Sequence, residues 1–83
     1  MSKDVLEKLK MIIDHFGIEN QEKKLVEEML ELMESGEDEE YADVWVLAMQ
    51  LYMARPEIRV IAEQKINRTL DRITEGYYEG ELI

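Results

Sequence analysis

Two pairs of acids, Glu28 with Glu31 and Glu40 with Asp43, are each spaced three residues apart. On an α-helix that spacing puts both members on one side about a turn apart, so each pair can reach the same small volume. The segments that carry them are separated by the short connection "SGED", Ser35 to Asp38. If that connection closes an antiparallel hairpin, four carboxylates converge on a common centre between two helices. Four hard oxygen donors suit Mg²⁺ or Mn²⁺, with water and substrate phosphate oxygens completing the shell, whereas zinc would want His or Cys. At roughly 100° per residue Glu28 falls beside the apolar stripe of Leu25, Met29 and Leu32, while Glu27 and Glu34 point more toward solvent. Acid pairs three apart are also common on solvated helices, so spacing alone leaves both readings open.

Asp43 stands out through its surroundings. From Tyr41 to Met53 the only polar side chains other than the tyrosine hydroxyls and the Trp45 indole are Asp43 and Gln50. A helix apolar nearly all round belongs at the centre of a fold or at a subunit interface. An ionised carboxylate at its edge is costly unless a basic partner, a hydrogen-bond network or a metal ion compensates it.

The cationic residues lie elsewhere. Between Lys24 and Arg55 there is no Lys or Arg, whereas that interval holds Glu27, Glu28, Glu31, Glu34, Glu37, Asp38, Glu39, Glu40 and Asp43. Further on, Lys65, Arg68 and Arg72 recur at i, i+3 and i+7, one stripe on a helix. They could bind a phosphate tail, with Asn67 adding hydrogen bonds, or simply pair with neighbouring acids. Trp45 could stack on a nucleobase, although an aromatic in an apolar helix is more often core or interface; Tyr41 and Tyr52 share that ambiguity. His15, without a cysteine or a second histidine, reads as a helix-end residue rather than a ligand. Ser35 and Thr69 have no histidine nearby in sequence to activate them, so no covalent nucleophile is indicated.

These residues require helices to position them. Gly17, Gly36 and the Arg55-Pro56 pair punctuate the chain, and apolar residues between them recur at three and four positions. The pattern predicts an all-α fold of four helices at about 3 to 16, 21 to 35, 38 to 54 and 56 to 74. In the first, Leu6, Leu9, Ile13 and Phe16 should face inward, with Gly17 ending it. Asn20 is the expected N-cap of the second, whose stripe is Leu25, Met29, Leu32 and Met33. Asp38 is expected to cap the third with its side chain, and Pro56 to open the fourth. The tail, 76 to 83, has no helical period.

Composition bounds the rest. The chain has 83 residues, a single domain, with a formal charge of -10 from 20 acidic and 10 basic residues. That balance argues against a partner read through its phosphate backbone, such as a nucleic acid duplex. There is no cysteine, no apolar run long enough for a bilayer and no uninterrupted apolar core in the opening "MSKDVLEKLK". The expectation is a soluble cytoplasmic protein with no membrane partner. Four short helices cannot enclose the third on every side. A homodimer or homotetramer that buries Trp45, Met49 and Tyr52 between subunits is therefore expected.

The segment "EEMLEL", Glu27 to Leu32, followed by "EEYADVW", Glu39 to Trp45, resembles the paired ExxE and ExxD signature of the MazG-like all-α nucleoside triphosphate pyrophosphohydrolases, small phage-type members in particular. The later "KINRTLDRI", Lys65 to Ile73, is similar to the basic segment that follows in such members. The resemblance covers about residues 20 to 75. It implies a helical bundle, commonly completed by a second chain, that holds Mg²⁺ through Glu28, Glu31, Glu40 and Asp43. The implied reaction cleaves a (d)NTP to the monophosphate and pyrophosphate. Lys65, Asn67, Arg68 and Arg72 would face the phosphates, and Glu31 is the candidate base. The Glu31 to Glu40 interval is shorter than usual for the family, which demands a tight hairpin, and Leu30 stands where a glycine is often found. Two alternatives remain: a phosphoribosyl-ATP pyrophosphohydrolase-like enzyme, and a non-catalytic acidic helical interaction module.

Overall fold

A computed structural model describes residues 2 to 76. It contains four helices and, among the described residues, no strand: α1 (Lys3–Phe16), α2 (Ile18–Ser35), α3 (Asp38–Ala54) and α4 (Glu57–Thr74). The 76 to 83 tail lies outside the described residues apart from Gly76. No helix among the described residues is long and apolar enough to cross a membrane.

The first two helices are joined through one residue. Gly17 ends α1, donating its N–H to the carbonyl of Ile13 at 2.8 Å, and its own carbonyl accepts from Gln21 at 3.1 Å. Its φ of 87° and ψ of 154° lie in a region that is essentially closed to side-chain-bearing residues. This conformation lets α2 begin at Ile18, three residues before the expected start. Asn20 is accordingly not a cap: it sits inside α2, where its Nδ2 donates to the Phe16 carbonyl at 2.8 Å and satisfies the end of α1. Ser2 caps the start of α1, its Oγ accepting from the Val5 N–H at 3.3 Å.

α3 is the central helix, as its apolar character predicts; α1, α2 and α4 all pack on it. The core is small, with Leu9 and Ile13 of α1 against Leu47 and Leu51 of α3. Burying each contributes roughly 1.5–3 kcal/mol. Leu25 and Leu32 of α2 cover them at half burial. Two expected inward faces are rotated. Phe16 is half exposed, and Met29 and Met33 turn out to solvent, while α2 buries Gln21 and Glu28 instead. The seam of α2 is therefore Gln21, Leu25, Glu28 and Leu32, a strict four-three-four spacing. The physical reason lies on α3, where buried Gln50 offers a hydrogen-bond partner that a methionine could not use.

α3 begins at Asp38 with Glu37 in the cap position, and no side chain makes the capping hydrogen bond expected of Asp38. Asp38, Glu39 and Glu40 occupy its first turn, where negative charge is favourable beside the unpaired amides. Pro56 precedes α4, whose first residue is Glu57. The backbone of α4 approaches α3 alone, and none of its residues is buried. Within one chain the helices thus form a three-helix body that α4 meets only through α3. Val60, Ile61, Ile66, Leu70 and Ile73 are left exposed.

Candidate functional site

The tight hairpin required by the sequence is present. α2 ends at Ser35, Gly36 takes the left-handed conformation (φ 64°) and donates to the Leu32 carbonyl at 2.8 Å, and Glu37 leads straight into α3. Residues equidistant from this turn then face each other across the helix pair. Gln21 donates through Nε2 to Gln50 Oε1 at 2.8 Å, one turn after another Glu28 meets Asp43, and Glu31 feels the charge of Glu40. At the open end of the hairpin Arg55 Nη2 pairs with Glu22 Oε1 at 3.3 Å. Glu28 thus neighbours both Glu31 and Asp43, while Glu40 acts through its charge on Glu31.

Glu28 is central among these acids. Its side chain is 8% exposed, and Lys24 Nζ donates to its Oε1 at 3.1 Å. Its other oxygen, Oε2, is buried with no hydrogen-bond partner, and so is Oε2 of Glu40. A buried carboxylate oxygen without a donor carries the full cost of its lost hydration, so an unfilled oxygen on each helix marks a place where a cation would be welcome. Lys24 holds the Glu28 carboxyl below the ordinary range, against the opposing influence of burial. Glu31 is pushed the other way by the neighbouring Glu28 carboxylate. Two carboxyls in contact cannot both ionise freely, and here the pair resolves into an ionised Glu28 and a more basic Glu31. Among the described residues, no group of three or more His, Asp or Glu side chains is already arranged to hold a metal ion. The donor set itself, all oxygen and partly unsatisfied, fits Mg²⁺ or Mn²⁺.

A cleft of about 590 Å³ opens beside the acids between α2 and α3. Glu28 and Asp43 lie in its wall together with Lys24, Asn20 and the Gln21–Gln50 amide pair, and Phe16 contributes an aromatic edge. Its size is within the range of pockets that take a small organic ligand. Gln50 is the most deeply buried of the described residues, at 2% exposure. Since one hydrogen bond uses only part of each amide, the pair retains donor and acceptor capacity for a ligand.

Other anticipated residues lie apart. Lys65 and Arg68 line a small depression with Ile61 and Gln64 on α4 itself, and Asn67 and Arg72 share that helix. Since α4 approaches only α3, a single chain does not bring this basic stripe to α2. Trp45 is half exposed and does not line the cleft. His15 stacks edge-on against Phe16 with ring centroids 4.7 Å apart and takes no part in the acid group. The sequence reading gave no role to Lys24, Gln21 or Gln50. The first could have been found from its position one turn before Glu28, and the last from its being the only amide in an apolar helix. No protein-family profile, curated protein or solved structure matches this chain.

Proposed function

We propose that the chain is a Mg²⁺-dependent nucleoside triphosphate pyrophosphohydrolase of the MazG-like kind, converting a (d)NTP to the monophosphate and pyrophosphate. The observation that carries this reading is Glu28: a nine-tenths buried carboxylate with an unpartnered oxygen, neighbouring Glu31 and Asp43 at the edge of a cleft. The resemblance of the paired acid motifs supports it.

Glu28, Glu31, Glu40 and Asp43 would hold Mg²⁺, with Mn²⁺ as a substitute. When bound, the ion supplies neutralisation of the phosphate charge and acidification of a coordinated water. The remaining work falls to side chains. Glu31, whose carboxyl is shifted upward by Glu28, is suited to accept a proton from the attacking water. Asp43 fixes one edge of the cleft, and the Gln21–Gln50 pair offers hydrogen bonds to the nucleoside within it. The net charge of -10 repels a polyphosphate from a site lacking the ion, so the acids take part in substrate binding only through it.

Assembly belongs to the same proposal. The unpartnered apolar residues of α4, with half-exposed Trp45 and Tyr52 on α3, are suited to cover one another in a homodimer or homotetramer. In such an assembly Lys65, Asn67, Arg68 and Arg72 of a second copy would reach the phosphates that one chain's α4 does not approach.

The test is pyrophosphate release from a panel of NTPs and dNTPs with Mg²⁺. Activity that disappears in Glu28→Ala and Asp43→Ala while helical content persists is the expected result. If no nucleotide is cleaved, and neither metal nor nucleotide raises the melting temperature, the acidic interaction module replaces this reading.

A further inference from the structure

Lys24 supplies the positive charge that Glu28 meets within the chain. Its Nζ approaches Glu28 Oε1 at 3.1 Å and Glu27 at 3.6 Å, one turn along the same helix. The other ion-paired bases of the three-helix body have other acids: Lys8 has Asp4, Lys10 has Asp14, Lys23 has Glu19 and Arg55 has Glu22. None of these pairs involves the acid group. The two partners of the Lys24–Glu28 contact are also unlike. Glu28 is 8% exposed, whereas Lys24 is 51% exposed and borders the cleft. The carboxylate is fixed, and the ammonium stands on a flexible stem with open space beside it.

An ammonium is an incomplete partner for this carboxylate. It serves Oε1 and leaves Oε2 bare, and a single charge cannot offset Glu31, Glu40 and Asp43 as well. A divalent cation offers twice the charge and can bridge several oxygens at once. To bind, however, it must break the existing ion pair, and it then repels the ammonium that it has displaced.

We propose that Lys24 is a resident counter-ion, holding the Glu28 carboxylate in place until a divalent cation displaces it, whereupon the freed ammonium binds an anionic oxygen of the ligand in the cleft. This rests on the reading of Glu28 as a metal ligand. Its consequence is coupling: the cation binds weakly by itself and the anion weakly by itself, but each strengthens the other because the anion takes up the ammonium that the cation releases. The coupling is reciprocal, as linkage requires.

The experiment measures Mn²⁺ binding to the full chain by electron paramagnetic resonance, in wild type, Lys24→Met and Lys23→Met, with far-UV circular dichroism confirming the fold. Lys23 borders the same cleft but pairs with Glu19, so it controls for the general loss of one positive charge. Lys24→Met should bind Mn²⁺ on the order of tenfold more tightly, the scale of one charge-assisted hydrogen bond, and Lys23→Met should change much less. The Mn²⁺ complex of inorganic tripolyphosphate should bind Lys24→Met more weakly than wild type. An unchanged or weaker Mn²⁺ affinity in Lys24→Met, or a gain equalled by Lys23→Met, overturns the counter-ion role and leaves the metal site standing. If neither wild type nor Lys24→Met binds Mn²⁺, the metal-ligand reading falls and takes this proposal with it. Should Lys24→Met aggregate, Lys24→Gln makes the same comparison.

Discussion

The side-chain amide of Gln21 donates to that of Gln50 at 2.8 Å across the α2–α3 seam, with both residues more than nine-tenths buried. In so small a core an apolar pair would ordinarily fill such a place. Truncating one partner leaves the other amide buried and unmatched, so Gln50→Leu should cost about 1–3 kcal/mol in urea denaturation. The double change Gln21→Leu with Gln50→Leu should recover most of that loss. If the single variant is as stable as wild type, the hydrogen bond does not fix the helix pair.

Gly17 permits a backbone test free of steric confusion, because a Cβ built there meets nothing within 4 Å. Gly17→Ala should nevertheless destabilise the fold by about 1–3 kcal/mol, since the cost is conformational. Gly36, at φ 64° and ψ 19°, has an ordinary left-handed conformation that asparagine tolerates. Gly36→Asn should therefore cost much less than Gly17→Asn, and equal losses in thermal denaturation would contradict this account.

The acid pair gives opposite pH signatures. Glu31 has a raised folded-state pKa, so its contribution to stability is fully present below the ordinary value of 4.5 and is lost as pH rises through the raised one. Glu31→Gln should thus melt higher than wild type at neutral pH and lose that advantage in acid. Glu28 has a lowered folded-state pKa, so its contribution is present above 4.5 and is lost as pH falls through the lowered value. Glu28→Gln should melt lower than wild type at neutral pH, with the gap closing in strong acid. Melting curves from pH 3 to pH 8 check both signs.

Divalent metal should stabilise the folded chain. At a hundred times its dissociation constant, one Mg²⁺ or Mn²⁺ adds about 2.7 kcal/mol, which for a domain of this size raises the melting temperature by roughly 10 °C or more. Asp43→Ala and Glu28→Ala should remove the increment, and EDTA should reverse it.

Replacing Leu70 by aspartate tests assembly. Leu70 is 57% exposed and α4 buries nothing within the chain, so Leu70→Asp should leave helical content intact. Sedimentation should show an oligomer for wild type and a monomer for the variant. An unchanged sedimentation coefficient would place the interface elsewhere.

Much of this arrangement was legible in local signals. Gly17, Gly36 and Pro56 marked the helix boundaries because each imposes a backbone constraint that operates without tertiary context. The spacing of the acids anticipated that Glu28 comes beside Glu31 and Asp43, because a two-residue connection leaves an antiparallel pair little freedom. The inward face of α2 was misjudged for the opposite reason. Met29 and Met33 outrank Gln21 and Glu28 in hydrophobicity, and only the presence of Gln50 and Lys24 in the right places makes the polar pair the better face to bury. The early start of α2 escaped notice because nothing about a glycine in sequence reveals which positive-φ conformation it adopts.

Gly36 and Glu37 are all that separate the two acid-bearing helices, so every carboxylate proposed to hold the ion belongs to one uninterrupted stretch between residues 28 and 43. The proposed chemistry would thus be housed in a portable cassette. Grafted onto another antiparallel helical pair of matching register, that stretch should carry the proposed cation affinity along, whereas two residues inserted between Glu28 and Glu31 would leave them about 140° apart on the helix and silence it.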